Sequence, residues 1–195
     1  MIRKITDFGN LTQSEVEVAV RLIHACGMPE IVQNLRFSPN AINAGKEALK
    51  SGKQIFVDSK MVKAGIIRKN LKYGNPITCS LNKIRSKNKV LTNPQGREVT
   101  RSAMAVELWK DDLAGCIVII GNAPTALFRL LEMINSGCPL PSLILGFPVG
   151  FVGAAESKEA LTISSCGVPY ITLLGRRGGS AIAAASINAI SSQTK

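Results

Sequence analysis

The chain has 195 residues and a net charge of +11, and 46% of it is apolar, mainly Ala, Ile, Val and Leu with few aromatics. That length supports one well-buried core and is short for two, so a single domain over residues 1–195 is expected. No apolar stretch is long enough to cross a bilayer and no signal peptide opens the chain, which argues against a membrane partner and for a cytoplasmic location.

The first clear helix follows Thr12, where Thr12 and Glu15 fit a capping box, and it ends at Gly27 and Pro29. Ser38-Pro39 opens a second helix with proline at its first position, stopping near Gly52. Gln54–Val57 reads as a short strand, followed by Asp58-Ser59 and a helical turn through Met61 and Val62. The stretch from Asn70 to Gly96, with Pro76, Pro94 and spaced lysines, reads as loop around a strand near Ile77–Cys79. A helix is expected from about Glu98 to Trp109. Three apolar runs then each end in a glycine-centred turn that opens onto a helix. Cys116–Ile120 leads into Gly121–Thr125, Leu143–Leu145 into Gly146–Gly153, and Ile171–Leu174 into Gly175–Ser180. The last helix is rich in small residues (Ala181, Ala183, Ala184, Ala185). Alternating strands and helices imply an α/β fold: a mainly parallel sheet covered by helices on both faces.

Parallel strands would bring all three turns to one end of the sheet, where open α/β folds bind their ligands. Singly, each turn reads as a tight connection that glycine makes easy. Together, and with Arg176 and Arg177 among them, they point to an anion-binding crevice with exposed backbone N–H groups. Charge points the same way: fourteen Lys and Arg lie between Lys46 and Arg101 against three acids, Glu47, Asp58 and Glu98. Such a surplus favours nucleic acid, a polyanionic small molecule or an acidic protein as partner, and solubility alone also accounts for it. Nucleic acid is the weakest of these, because aromatics for base stacking are few and no recognition motif is present.

His24 is the only histidine. On a helical wheel it shares a polar stripe with Gln13, Ser14, Glu17 and Arg21, while Val16, Ala19, Val20, Leu22 and Ile23 cover most of the rest, and Arg21 lies one turn before it. The stripe reads either as a solvated helix face or as one wall of a pocket. In the helix's last turn the macrodipole favours a protonated imidazole, which suits a proton donor near neutral pH. The familiar alternatives are missing: no GxGxxG, no GxxxxGK[ST] and no GxSxG. Five scattered cysteines (Cys26, Cys79, Cys116, Cys138, Cys166) form no CxxC, read as reduced and buried, and with one histidine give too few ligands for a catalytic zinc.

From about Val18 to Ala189, six ordered blocks resemble the precorrin-8X methylmutase (precorrin isomerase) family of cobalamin biosynthesis. They are Arg21–Ala25; Val57-Asp58 with Met61-Val62 and Ala64-Gly65; Thr100-Arg101; Gly121–Ala126; Pro148–Lys158; and Gly175–Ser180. The resemblance implies an α/β homodimer with pockets near the subunit interface. It also implies an isomerase that moves a methyl group from C11 to C12 of a tetrapyrrole, usually described as a 1,5-sigmatropic shift, with no separate cofactor and no metal site. The family's catalytic histidine falls on His24 and its substrate-binding arginine on Arg21. Asp58, Arg101, Asn122, Thr125, Gly150, Arg176 and Ser180, all within the matching blocks, are the further substrate-binding candidates. The macrocycle is flat, apolar and fringed with carboxylates, which suits arginines at a rim and glycine turns that let the backbone approach. Members of the family usually carry a Ser-Phe pair ahead of the first block whose serine touches substrate; Met1–Asn10 offers Thr6 but no such pair, so part of the rim is expected to differ. A corrinoid-binding or carrier protein without turnover is the alternative this leaves.

Overall fold

The computed structural model describes residues 1–84 and 98–194. A short helix α1 (Ile2–Ile5) precedes α2 (Gln13–Cys26), which leads through a 3₁₀ turn at Pro29–Asn34 into strand β1 (Leu35–Phe37). The order continues α3 (Ala41–Lys50), β2 (Ile55–Val57), α4 (Lys60–Gly65), β3 (Ile77–Thr78) and α5 (Arg101–Glu107). Then come β4 (Ile117–Ile120), α6 (Pro124–Asn135), β5 (Leu143–Gly146), α7 (Ala154–Ile163), β6 (Tyr170–Leu173) and α8 (Ser180–Ser192).

The six strands form one sheet in the order β1-β6-β5-β4-β2-β3. All neighbours are parallel except β1, which runs antiparallel along β6 with Leu35 opposite Leu173. The expected mainly parallel α/β sheet is therefore present, and β2, β4, β5 and β6 all end at one side of it. Side chains alternate across the strands and build a core on each face. Ile117 and Ile119 of β4 belong to the core shared with α2, α3, α4 and α8, whereas Val118 and Ile120 belong to the core shared with α5, α6 and α7. Each such fully buried Ile or Val stabilises by about 1.5–3 kcal/mol.

Local chemistry explains most of the element ends. Thr12 caps α2 in the expected box: its hydroxyl accepts from the Glu15 N–H, and the Glu15 carboxylate accepts from the Thr12 N–H at 2.7 Å. Gly27 closes the same helix in the left-handed region. Three expectations need correction. The second helix starts at Ala41, with Pro39 outside it. Ser38 is still paired to β6, its N–H donating to the Tyr170 carbonyl and its hydroxyl accepting from the Tyr170 N–H, so the chain cannot turn into a helix until Asn40. The helix expected over Glu98–Trp109 is shorter, because Thr100 caps its start by accepting from the Ala103 N–H and the Trp109 N–H closes a tight turn onto Val106. Of the five free cysteines only Cys116 is buried, and burial pushes its thiol up to about 12; Cys166 is exposed. The loop reading for Asn70–Gly96 falls partly on 85–97, outside the described residues. No helix among the described residues is long and apolar enough to cross a membrane.

Helix α8 is buried continuously from Ile182 to Ser191, which accounts for its small, apolar composition. One side lies on β4 and β5 and the other carries α2 and α4. Contact this close requires glycine opposite its alanines. A Cβ on Gly121 would lie 2.7 Å from Ala183 Cβ and 2.6 Å from Val62 Cγ2, and one on Gly65 would lie 2.7 Å from Ala184 Cβ. Gly121→Ala is expected to lower stability by about 1–3 kcal/mol through overpacking, read as a lower midpoint in equilibrium urea denaturation.

Candidate active site

At the carboxyl end of β2, Asp58 is buried beneath the turn that follows β4. Its carboxylate accepts three backbone N–H bonds, from Gly121 at 3.0 Å, Asn122 at 2.8 Å and Ala123 at 2.9 Å. Burial pushes the Asp58 carboxyl above its usual range, and the three N–H bonds pull against that shift. The arrangement fixes the start of α6. Asp58 is thus engaged inside the fold, with both carboxylate oxygens occupied by the turn it was expected to accompany as a substrate ligand.

The other two glycine turns are tied to each other. The Gly179 N–H donates to the Phe147 carbonyl at 2.8 Å and the Gly150 N–H to the Arg176 carbonyl at 3.2 Å. Gly178 lies so close to the Phe147 and Pro148 carbonyls that any Cβ there would collide with them. The buried Lys158 of α7 reaches across and donates to the Arg177 carbonyl at 2.6 Å. The Arg177 side chain turns away to pair with Glu30 at 2.8 Å, while the Arg176 guanidinium sits 5.5 Å over the ring of the exposed Phe151. These bonds take up part of the backbone that the sequence reading made available to an anion: the N–H groups of Gly121, Asn122, Ala123, Gly150 and Gly179 already have protein acceptors. The exposed Arg176 side chain adds a positive charge at the same end of the sheet.

His24 and Arg21 are both exposed on α2 and share a groove of about 360 Å³ with Gly65, Ile67, Ala181, Ala184, Ala185 and Asn188. Ala181 stands in the first turn of α8, directly after the third glycine turn, so this groove adjoins the carboxyl end of the sheet. A second, more apolar groove of about 550 Å³ meets His24 from the other side, between α1 and α2, and is lined by Ile2, Ile5, Val20 and Ile23. The polar stripe of α2 is therefore solvent-exposed and groove-lining at once.

The remaining candidates lie around this end. The Ser180 hydroxyl is 3.2 Å from that of Ser59, which also caps α4 by accepting from the Val62 N–H. The Thr125 hydroxyl meets that of Thr100 at 2.7 Å, joining the starts of α5 and α6 and bringing Arg101 to the same rim. Asn122 is exposed, and Gly150 holds φ at 138°, which only glycine adopts freely. Arg21 and His24 share one groove and Gly150 and Arg176 are bonded, but Arg101 and Thr125 sit at the helix layer on the opposite face of the sheet from α2. Residue reading gave no role to Lys158, Ser59 or Glu30.

The family profile described as precorrin-8X methylmutase (CbiC) matches residues 1–193. The chain belongs to this family. A precorrin-8X methylmutase from Pseudomonas aeruginosa is 50% identical over 98% of this chain and 90% of its own length, and one from Sinorhizobium is 47% identical over 97% and 89%. A cobalt-precorrin-8 methylmutase from Priestia megaterium is 38% identical over 92% of this chain and 78% of its own. The crystal structure of the Thermus thermophilus precorrin-8X methylmutase superposes with a TM-score of 0.85 at 34% identity, over 99% of this chain and 91% of that one. Family membership makes the chain an isomerase of cobalamin biosynthesis.

Two predictions follow from the buried charges of this methylmutase. Asp58→Asn turns an NH₂ group toward at least one of the three N–H donors and should cost about 2–4 kcal/mol, read by thermal or urea denaturation. Burial brings Lys158 down from the usual 10.5 to about 8. Between those pH values the unfolded chain keeps a proton on this lysine that the folded chain has released. The stability of the wild type relative to Lys158→Met should therefore rise as pH increases through that window, measured by paired denaturation curves at its two ends.

Proposed function

We propose that this chain moves a methyl group from C11 to C12 of precorrin-8X to give hydrogenobyrinate, with His24 as the general acid. The observation that carries the reading is the place of His24. It stands beside Arg21 where two grooves meet, next to the helix that begins at the third glycine turn. A migrating methyl needs no nucleophile. It needs the macrocycle held in one geometry and a proton delivered as the π-system rearranges; positioned general acid catalysis is worth about 10²–10⁴ in rate, and positioning adds to it.

In this reading the apolar groove walls and the glycine turns accept the ring, and the carboxylate fringe is met by arginines. Arg21 orients a side-chain carboxylate beside His24, and Arg101 and Arg176 meet others at the rim, where a guanidinium can bind bidentately. Asn122, Thr125 and Ser180 supply hydrogen bonds, and Gly150 lets the backbone come close. Asp58 contributes by shaping the turn that presents Asn122. Both grooves are open to solvent, and the β5–α7 turn exposes Phe151 at 83% and Val152 at 88%; a second copy of the chain would cover such side chains and close the site. No cofactor enters the scheme, and the reaction is assigned to the cytoplasm. Two relatives named for the cobalt-free substrate reach 50% and 47% identity against 33–39% for six named for the cobalt form, and these two support the metal-free macrocycle as preferred substrate.

The test is incubation of the protein with precorrin-8X and with its cobalt form, followed by absorption spectra. Conversion is expected, faster on the metal-free form. His24→Ala should bind the tetrapyrrole and lower kcat by about 10²–10⁴-fold. Full activity in that variant removes the general-acid role, and a bound spectrum without conversion by the wild type identifies a carrier.

A further inference from the structure

Lys158 is wholly buried on α7, and the described residues give its ammonium one acceptor, the Arg177 carbonyl at 2.6 Å. A buried lysine is costly, and for stability alone a methionine in the same space serves as well or better. What the ammonium holds is therefore informative. The Arg177 carbonyl belongs to the peptide that joins Arg177 to Gly178. On one side of that peptide, Gly178 lies flush against the Phe147 and Pro148 carbonyls. On the other, the exposed Arg177 side chain is paired with Glu30, whereas Arg176 lies over Phe151 and has no carboxylate partner among the described residues. The Arg176 carbonyl is itself taken by the Gly150 N–H. Fixing the Arg177 carbonyl thus fixes the orientation of one peptide in the turn, and with it the point from which Arg176 projects.

We propose that Lys158 is a positioning residue for the methylmutase reaction: by gripping the Arg177 carbonyl it sets the β6–α8 turn so that the Arg176 guanidinium meets a carboxylate of the macrocycle. The proposal rests on the reading above that this turn contacts substrate. Lys158 has no route to the reacting atoms, so its effect falls on substrate binding and passes through Arg176. Removing the grip lets the turn sample other conformations, and Arg176 must then be ordered at the expense of binding.

The experiment is a double-mutant cycle on steady-state kinetics, with Lys158→Met, Arg176→Ala and the pair together. Lys158→Met is expected to raise KM for the tetrapyrrole about tenfold with kcat little changed. In the Arg176→Ala background the same substitution should leave KM where Arg176→Ala alone puts it. A KM unaffected by Lys158→Met overturns the proposal, and so does an equal rise with and without Arg176, which marks a general structural role. An unchanged KM in Arg176→Ala itself removes the contact between this turn and substrate, and the proposal falls with it. The His24→Ala result on kcat is independent of all three outcomes. Lys158→Gln, whose amide stays polar but is too short to reach the carbonyl, is expected to raise KM in the same way and replaces the methionine variant in the cycle should that variant not fold.

Discussion

How closely α8 can lie against the sheet sets most of what happens at its carboxyl end. A helix that is apolar on every side has to be covered on every side, and α8 is covered by β4 and β5 beneath it and by α2 and α4 above. The alanines of its first half meet Gly121 and Gly65 at distances that leave no room for a side chain. That approach brings Ser180 to Ser59 and draws the turns after β2, β4 and β6 together. It also explains why α2 forms a third layer: it rests on α8, and its polar stripe with His24 and Arg21 is held out over the first turns of that helix.

Two buried charges finish the work that packing begins. Asp58 accepts from three successive N–H groups, and Lys158 donates to one carbonyl of another turn. Each fixes a loop from beneath with charge-assisted bonds, which are shorter and stronger than neutral ones. Five N–H groups of the three turns are held by protein acceptors before any ligand arrives. Under the proposed function, recognition of carboxylates falls largely to the rim arginines, and specificity can vary by exchanging them without disturbing the turns.

The three strand–turn–helix units were legible because parallel strands buried on both faces read as continuous apolar runs, and Ile117–Ile120 and Leu143–Leu145 are such runs. Leu35–Phe37 was not, since three residues give no periodicity and their strand character comes from pairing with β6. The start of α3 was misplaced because Ser38-Pro39 carries a strong local helix signal, which a tertiary pairing with Tyr170 overrides. At the proposed site, residue types could not separate side chains that face outward from braces that hold the fold. Asp58 beside a glycine turn looks the same in sequence whether it faces a substrate or the turn's own N–H groups. Lys158 was invisible as a tie because its partner is a backbone carbonyl nineteen positions away, and no side-chain motif records that.

The seating of α2 on α8 joins the beginning of the chain to its end. While the protein is being made, the segment carrying His24 leaves the ribosome well before the helix that supports it, which follows every strand of the sheet. A nascent chain can pair β2 with β4 and β5 well before this, since those strands are complete by Gly146. The imidazole has no seat until α8 has emerged. Such long-range closure slows folding, and it means that a chain truncated just before α8 keeps the strands of the sheet yet has lost the wall on which the histidine leans.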